Sequence, residues 1–427
     1  MLKCLPYDVA VSIGSRNKEY TLFGGFCKKL ARLQNVRMSG NSQRIYLDYA
    51  SATPLLKDAF TAMNHAERCF ANPGSIHQEG VAAKKLLEEA RTSIAHELGA
   101  KSGQVVFTSG LSESNNLAIL GFARRLEMSG TALHGTHWIT SSIEHSSVLE
   151  PFAEIERRGG TVTHLKPDER GLISGDSLKH ALRAHTVFVS IGWANNEIGV
   201  VQPLSELSRV IRAHASKSPI IFHTDAGQAP LYISAHVHTF GVDAMSLGAG
   251  KLYGPRSSGA LYVEDASRFA SVIVGGNQEK GLRAGTEDVV PAVGFAKAFE
   301  AAARDRGAES KRLSALRDEL AVALRKCIPE LMVNGSLPHA LPHMLNISIP
   351  NINAEYMVLA LDREGIALST RSACNADKAL SHVVEALGGP DWRARNTLRI
   401  SLGRATTPED VARASETVAA LVPLSGT

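Results

Sequence analysis

The amino-acid sequence predicts an α/β protein in which a mostly parallel sheet, flanked by helices, is joined to a smaller α+β domain. Two observations predict this class: short apolar runs alternate with amphipathic stretches from Ile45 onward, and this pattern changes after about Glu287. Strands separated by helices imply βαβ crossovers, which make neighbouring strands parallel. We therefore expect an N-terminal extension over residues 1–43, a large domain over 57–300, and a small domain formed by 44–56 and 301–427.

The large domain is predicted from short apolar runs that we interpret as buried strands. These runs cover residues 104–108, 138–142, 162–165, 186–191, 220–224, 244–247 and 260–263. The amphipathic stretches between them predict helices over residues 112–127, 147–157, 176–184 and 204–216.

The small domain is predicted from two long helical stretches, one running through Ala303 and another through about Lys326. Strands are predicted after them at residues 345–349, 367–369 and 397–402, with helices at 354–363 and 381–387. The last helix is expected to begin with Thr407 as N-cap and Pro408 at the first helical position, because both residue types favour those places.

Charge and hydropathy argue against membrane-spanning and nucleic-acid-binding functions. No uninterrupted apolar run approaches the roughly 18 residues that a membrane helix needs. The net charge of +4 is uneven, since residues 1–37 carry +5 and the remainder carries −1, which gives no reason to expect nucleic-acid binding. We expect a soluble, cytoplasmic protein that contacts neither membrane nor nucleic acid directly. The basic segment 1–37 is predicted to be disordered, or to lie before a true translation start at Met38. The alternative is that it directs import into an organelle.

The 5 cysteines are scattered without a CxxC pair. This argues against a disulfide framework or a thiolate zinc site, and it fits a reducing compartment. The histidines lack the spacing of metal ligands, so no metal site is expected.

Polar clusters follow four of the predicted strands, at residues 109–114, 144–145, 195–199 and 225–228. The carboxyl ends of parallel strands meet at one edge of a sheet, where ligands bind. The first cluster also opens a helix, whose N–H groups favour an anion. Each cluster alone equally fits a helix cap or a satisfied hydrogen bond, so their convergence is what predicts a site.

Lys251 follows another predicted strand and stands among small residues. Few neighbours solvate its ammonium form, so its pKa is expected to fall, as a Schiff-base lysine requires. The alternative is a surface lysine in a glycine-rich loop.

From about Ile45 to Val422 the chain resembles the cysteine desulfurases, in the class V aminotransferase group of fold-type I pyridoxal-phosphate (PLP) enzymes. The strings that carry the resemblance are YLDYA (46–50), NPGSIH (72–77), VVFTSGLSESNNLAI (105–119), ITSSIEHSSVL (139–149), NNEIGVVQPL (195–204), FHTDAGQ (222–228), LYGPRSSGALYV (252–263), RAGTEDV (283–289), RSAC (371–374) and LRISLGRATT (398–407).

The resemblance implies PLP as cofactor, bound by Lys251, which later moves the substrate's Cα proton. Asp225 would pair with the pyridinium nitrogen. His145 would stack on the cofactor ring and transfer a proton. Asn195 and Gln228 would hydrogen-bond the phenolic side of the ring or the substrate.

The phosphate of the cofactor would lie against the Leu111 N–H and Ser112. Thr286 would reach the phosphate of a partner subunit, which implies a homodimer. The family usually has Ser-x-His before the lysine, and here those places are Gly248 and Gly250, whose backbone N–H groups would replace part of the lost contacts. We therefore expect weaker retention of PLP.

The resemblance gives Cys374 the decisive role. Its thiolate would attack the sulfur of L-cysteine, release alanine and pass the persulfide to an acceptor such as an iron–sulfur scaffold or a tRNA thiolation pathway. Arg399 would hold the substrate carboxylate. Arg371 would either lower the pKa of the thiol or stiffen its loop.

Two alternatives remain open at this stage. One is a related class V PLP enzyme such as a selenocysteine lyase or a transaminase. The other is a catalytically weakened homologue that acts as a scaffold, which the two glycines before Lys251 favour and the retained functional residues oppose.

Overall fold

The computed structural model describes residues 44–215, 219–370 and 380–425. The predictions for residues 1–43, and those for Arg371 and Cys374, lie outside the described residues.

The strands in the described ranges are β1 (Ile45–Tyr46), β2 (Val105–Thr108), β3 (His137–Ser141), β4 (Thr161–Leu165), β5 (Thr186–Ser190), β6 (Ile221–Asp225), β7 (Ala244–Gly248), β8 (Gly259–Val263), β9 (Met332–Val333), β10 (Met344–Ser348), β11 (Ile366–Ala367) and β12 (Thr397–Ser401). Of these, β2 to β8 and β10 to β12 lie within one or two residues of predicted positions, whereas β1 and β9 were not predicted.

A sheet of 7 strands has the order β2-β8-β7-β6-β5-β3-β4. The pairs from β7 to β4 are parallel, whereas β8 is antiparallel to both β2 and β7. The prediction of a mostly parallel sheet is therefore confirmed. The prediction that all its strands are buried is wrong for β4, in which Thr161 and His164 are exposed, whereas β2 at the opposite edge is fully buried.

The helices are α1 (Lys57–Ala66), α2 (Gln78–Leu98), α3 (Leu111–Met128), α4 (Ser146–Arg157), α5 (Gly175–Ala181), α6 (Leu204–Ala213), α7 (Val237–Phe240), α8 (Val289–Cys327), α9 (Ala354–Arg363), α10 (His382–Ala386), α11 (Trp392–Arg395) and α12 (Pro408–Ser425). The two helical stretches predicted up to Ala303 and Lys326 are one helix of 39 residues, α8, which corrects that prediction. It continues through Gly307 because buried residues before and after this glycine keep packing.

Two hydrophobic cores cover the faces of the large sheet. Successive residues of β6 point to opposite faces, so Phe222 joins the core containing α2, α6 and α8, while Ile221 joins the core containing α3 and α4. This two-sided cover buries β3, β5, β6 and β7 almost throughout, including polar residues such as His137 and His223.

Two smaller sheets carry the C-terminal part of the chain. β1 pairs parallel with β11, and β12, β10 and β9 form an antiparallel sheet. Asp48 also forms a bridge with Ser401, so the segment after β1 lies beside the C-terminal strands. This pairing agrees with the predicted assignment of residues 44–56 and 301–427 to one domain, which remains a prediction.

The start of α12 is as predicted. The Asp410 N–H donates to Thr407 Oγ1 at 3.2 Å, and the Thr407 N–H donates to Asp410 Oδ2 at 3.0 Å. The two residues thereby satisfy amides that a helix leaves without partners. Among the helices of the described ranges, none combines the length and the apolar character that spanning a bilayer requires.

Candidate active site

An open cavity lies at the carboxyl ends of the parallel strands. Six residues that the sequence singled out line it: Leu111, His145, Asn195, Asp225, Gln228 and Lys251. They come from the turns after β2, β3, β5, β6 and β7, so sheet topology brings together residues that are far apart in the chain. The predicted convergence at this edge of the sheet is therefore present.

Asp225 is the last residue of β6, and its carboxylate is held on two sides. Oδ1 accepts a hydrogen bond from the Gly227 N–H at 2.8 Å, and Oδ2 accepts one from Asn115 Nδ2 at 2.7 Å. Because a carboxylate has about four acceptor positions, these two bonds leave capacity for a further donor. Asn115 is fully buried on α3, and the sequence analysis gave it no role.

His145 caps helix α4. Its Nδ1 accepts the Ser147 N–H at 3.1 Å and lies 2.8 Å from Ser147 Oγ. Burial, and then the positive charge of Lys251, lower the pKa of the His145 ring. The ring is therefore kept neutral at the cavity wall.

Glu144, beside His145, is a cavity residue that sequence reasoning left without a role. Its Oε1 accepts Ser141 Oγ–H at 2.5 Å and the Gly192 N–H at 2.9 Å. Burial raises the pKa of Glu144 to about 7, and the charge of Asp225 adds to the rise. The strand-end position of the pair Glu144-His145 was the available signal, but it does not reveal that the carboxyl is buried.

The predicted phosphate end of the cavity is the first turn of α3. This helix begins at Leu111, so the N–H groups of Leu111 and Ser112 belong to its first turn. Gly259 is needed behind this turn, because a Cβ there would lie 2.7 Å from Gly110 Cα. The Leu111 side chain fills the space beside Gly227, where a Cβ would lie 2.3 Å from Leu111 Cδ2.

Two predicted cofactor contacts are partly used inside the protein. Asn195 Nδ2 donates to the Ile143 carbonyl at 2.7 Å, while its Oδ1 accepts the N–H groups of Glu197 and Ile198. Gln228 Nε2 donates to the Ala50 carbonyl at 3.0 Å. Each amide group has a second Nδ2 or Nε2 hydrogen that remains available for a ligand.

The glycines before Lys251 differ in the room around them. A Cβ on Gly248 would lie 3.0 Å from Leu111 Cβ, whereas the nearest atom to a Cβ on Gly250 would be Arg256 Cα at 3.9 Å. Thr53 holds this turn in place, because its N–H and its Oγ1–H both donate to the Gly250 carbonyl at 3.1 Å.

Arg399 and Thr286 do not line this cavity. Arg399 is buried and donates through Nη1 to the Asn196 carbonyl at 2.9 Å, and through Nη2 to Asp48 Oδ1 at 2.9 Å. Asn196 does line the cavity, so Arg399 stands directly behind its wall. Thr286 is exposed on the segment before α8.

The residues present fit PLP. Lys251 supplies a half-buried amine at the cavity wall, Asp225 supplies a carboxylate with acceptor capacity left, and the first turn of α3 supplies N–H groups for a phosphate. An aldehyde, a pyridine nitrogen and a phosphate ester are the groups that such a set complements.

Comparisons with known proteins show which family the chain belongs to. Residues 45–414 match the aminotransferase class-V family. The cysteine desulfurase IscS of Dictyoglomus turgidum is 42% identical over 371 residues, covering 86% of this chain and 92% of that protein.

Two solved structures are also similar. A NifS-like protein superposes with a TM-score of 0.82 at 30% identity, covering 90% of this chain and 100% of that chain. A structure described as SspA in complex with cysteine gives a TM-score of 0.71 at 36% identity, covering 84% of this chain and 98% of the other. The chain belongs to the PLP-dependent class V aminotransferase family, among its cysteine desulfurases.

Proposed function

We propose that this protein takes sulfur from L-cysteine, releases alanine and holds the sulfur as a persulfide on Cys374. The observation that carries the proposal is that Lys251, Asp225 and His145, from the ends of three different strands, line one cavity. Relatives named cysteine desulfurase, similar over most of their length, support the same reaction.

PLP, when bound, supplies an aldehyde that condenses with amines and a ring that accepts electrons from bonds broken at Cα. We propose that Lys251 holds the cofactor and then moves the Cα proton, since its amine lies at the cavity wall. Asp225 keeps a proton on the ring nitrogen, and its position is fixed by Gly227 and Asn115. The first turn of α3, with Leu111 and Ser112, receives the phosphate.

Cys374 would act on the substrate's sulfur. Its thiolate forms an S–S bond with that sulfur while the Cβ–S bond breaks, and the electron pair of that bond goes to Cβ. The carbon then takes a proton and becomes the methyl group of alanine. The reaction needs a thiolate, so it suits a reducing compartment, and we propose that the protein works in the cytoplasm.

We propose a homodimer in which Thr286 reaches the partner's phosphate. Thr286 is exposed, and Arg283 in the same segment is held by Glu113 of α3 at 3.0 Å. The sulfur acceptor would be a separate protein, such as an iron–sulfur scaffold.

The reaction is tested by incubating purified, PLP-saturated protein with L-cysteine and measuring sulfide, in the presence of a reductant, together with alanine. The proposal predicts both products in equal amounts. The Cys374→Ser variant should keep the visible PLP band and lose sulfide. Cys327→Ser, on the exposed end of α8, is the matched control and should keep activity. A keto-acid product, or unchanged sulfide from Cys374→Ser, would contradict the proposal.

The dimer is tested at limiting PLP by mixing two variants that should both be inactive there. Lys251→Ala disables a subunit's own site, and Thr286→Ala weakens PLP binding in the site of its partner so that this site is left empty. A mixed dimer would contain one intact site, so activity should return after the variants are unfolded and refolded together. No return of activity in mixed dimers would contradict the contribution of Thr286 across the interface.

A further inference from the structure

A chain of hydrogen bonds connects the Asp225 carboxylate to the ring of His145. Asn115 Nδ2 donates to Asp225 Oδ2 at 2.7 Å and to Ser147 Oγ at 2.9 Å. Ser147 Oγ lies 2.8 Å from His145 Nδ1. The two residues predicted to face the cofactor ring are therefore linked behind the cavity wall by Asn115 and Ser147.

The direction of this chain is fixed at its histidine end by a backbone amide. The Ser147 N–H lies 3.1 Å from His145 Nδ1 and can only donate. Nδ1 must therefore accept, which means that it carries no hydrogen. The Ser147 hydroxyl has one hydrogen, which then points to the same nitrogen, so Ser147 Oγ is left to accept from another donor.

The direction at the other end is fixed by the carboxylate. Asp225 can only accept, so the amide of Asn115 must turn Nδ2 toward it. The reverse orientation would place Asn115 Oδ1 against a carboxylate oxygen. Asn115 Oδ1 is buried and has no hydrogen-bond partner among the described residues, which costs free energy. The Asp225 carboxylate therefore determines the orientation of the amide despite this cost. The second Nδ2 hydrogen is donated to Ser147 Oγ. The direction deduced from the Asp225 end is therefore the same as the direction deduced from the His145 end.

We propose that Asp225, Asn115 and Ser147 form a positioning chain that keeps the neutral ring of His145 in the tautomer with its hydrogen on Nε2. Asn115 and Ser147 are positioning residues, since they act through His145 and Asp225. The consequence for catalysis rests on the proposed function: in a desulfurase, His145 gives a proton or a hydrogen bond at Nε2 and takes none at Nδ1.

The charges around His145 agree with a neutral ring. Burial is the largest influence and lowers the pKa, and Lys251, in the turn after β7, lowers it further. Asp225 at the end of β6 and Glu197 after β5 raise it, while His382 on α10 lowers it. The balance is a lowered pKa, so the tautomer of the neutral ring is the state that matters at neutral pH.

The proposal is tested by two-bond proton–nitrogen correlation spectra of PLP-loaded, deuterated protein labelled with [¹⁵N]histidine. The His145 signals are assigned by their loss in His145→Gln. The expected spectrum at neutral pH shows Nδ1 at the shift of a nitrogen without hydrogen and Nε2 at that of a protonated one. A hydrogen on Nδ1, in place of Nε2 or in addition to it, would overturn the proposal.

Variants at Ser147 test the chain itself. Ser147→Ala removes one donor to Nδ1, so the neutral form is stabilised less and the pKa of His145 should rise by about half a unit to one unit. Ser147→Thr keeps the hydroxyl and should restore the wild-type value. Ser146→Ala, at the adjacent position on α4, is the matched control and should leave the titration unchanged. An unchanged pKa in Ser147→Ala would overturn the role of the chain.

Measuring sulfide release on the same samples distinguishes failure of the positioning chain from failure of the proposed function. The Nε2–H tautomer without desulfurase activity supports the positioning chain and overturns the proposed function. Desulfurase activity with a hydrogen on Nδ1 overturns the positioning chain alone.

Discussion

Leu111 occupies the space that a side chain at Gly248 would need. A Cβ built on Gly248 would lie 3.0 Å from Leu111 Cβ, which is closer than such contacts normally are. The serine that the family usually carries at this position therefore requires residue 111 to move by a few tenths of an ångström, because the contacting atom is its Cβ. At Gly250, by contrast, the nearest atom to a Cβ is 3.9 Å away.

Restoring the family's residues should therefore have unequal effects on PLP affinity. Gly250→His meets no close contact at its Cβ and adds a phosphate donor, so the Kd for PLP should fall roughly 10-fold to 100-fold. Gly248→Ser alone should not tighten binding, whereas Gly248→Ser combined with Leu111→Gly, which removes the contacting Cβ, should. Equilibrium titration of the apoprotein with PLP measures all three. Tighter binding by Gly248→Ser alone would show that Leu111 does not limit this position.

Glu144 should make stability depend on pH in a direction that is unusual for a carboxyl group. Its pKa is raised from the ordinary 4.5 to about 7, so the folded state binds a proton that the unfolded state has lost between these values. The free energy of unfolding should therefore fall by on the order of 3 kcal/mol as pH rises from 4.5 to 7. Above pH 7 it should stay level.

Glu144→Gln tests this dependence, because glutamine can accept from Ser141 and Gly192 but cannot ionise. Urea unfolding at pH 5 and at pH 8 should show the wild type losing stability relative to this variant. The exposed Glu150→Gln on α4 controls for the loss of one acidic residue. A constant difference between wild type and Glu144→Gln would contradict the raised pKa.

Arg91 and Glu279 form a buried ion pair whose loss should be costly. Two nitrogens of Arg91 bind the two oxygens of Glu279 at 2.6 and 2.8 Å, and Glu279 Oε2 also accepts the Phe107 N–H. Arg91→Met leaves a buried carboxylate without its cation, so unfolding should become about 3–5 kcal/mol easier. Lys85→Met breaks an exposed pair with Glu89 on the same helix and should cost less than about 1 kcal/mol. Equal losses in urea unfolding would contradict the assignment.

Arg399 should affect substrate binding more than cofactor binding. It stands behind the cavity wall, held by Asp48 and by the Asn196 carbonyl, and its buried Nε has no partner among the described residues. Arg399→Lys loses part of the contacts to Asp48, Ser51 and the Asn196 carbonyl behind the cavity wall, so the KM for cysteine should rise roughly 10-fold to 100-fold while the visible PLP band remains. Arg395→Lys, exposed on α11, is the control. An unchanged KM would remove Arg399 from substrate binding.

The sequence predicts the strand-end residues of the site well, because parallel topology forces His145, Asn195 and Asp225 to one edge of the sheet. It does not predict contacts that depend on distant segments. The ion pair of Arg399 with Asp48 joins residues 351 positions apart, and no local sequence pattern predicts it. Asn115 stands in the polar run 112–116 at the start of α3, which does not single it out, and its partner Asp225 lies 110 positions away.

The errors have local causes as well. The apolar run at β4 predicts a buried strand, but this strand lies at the edge of the sheet and is partly exposed. Periodicity does not give the order of the strands, so it cannot reveal this position. The single helix α8 is longer than predicted because tertiary packing outweighs the low helix propensity of Gly307.

Covalent attachment of the cofactor tests the central claim most directly. PLP-saturated protein is reduced with borohydride, digested and mapped by mass spectrometry. The cavity geometry predicts that the pyridoxyl group is found on Lys251, and that Lys251→Ala protein carries none at any position. A label on another lysine, or no label in protein that shows the visible PLP band, would contradict the assignment of this cavity as the active site.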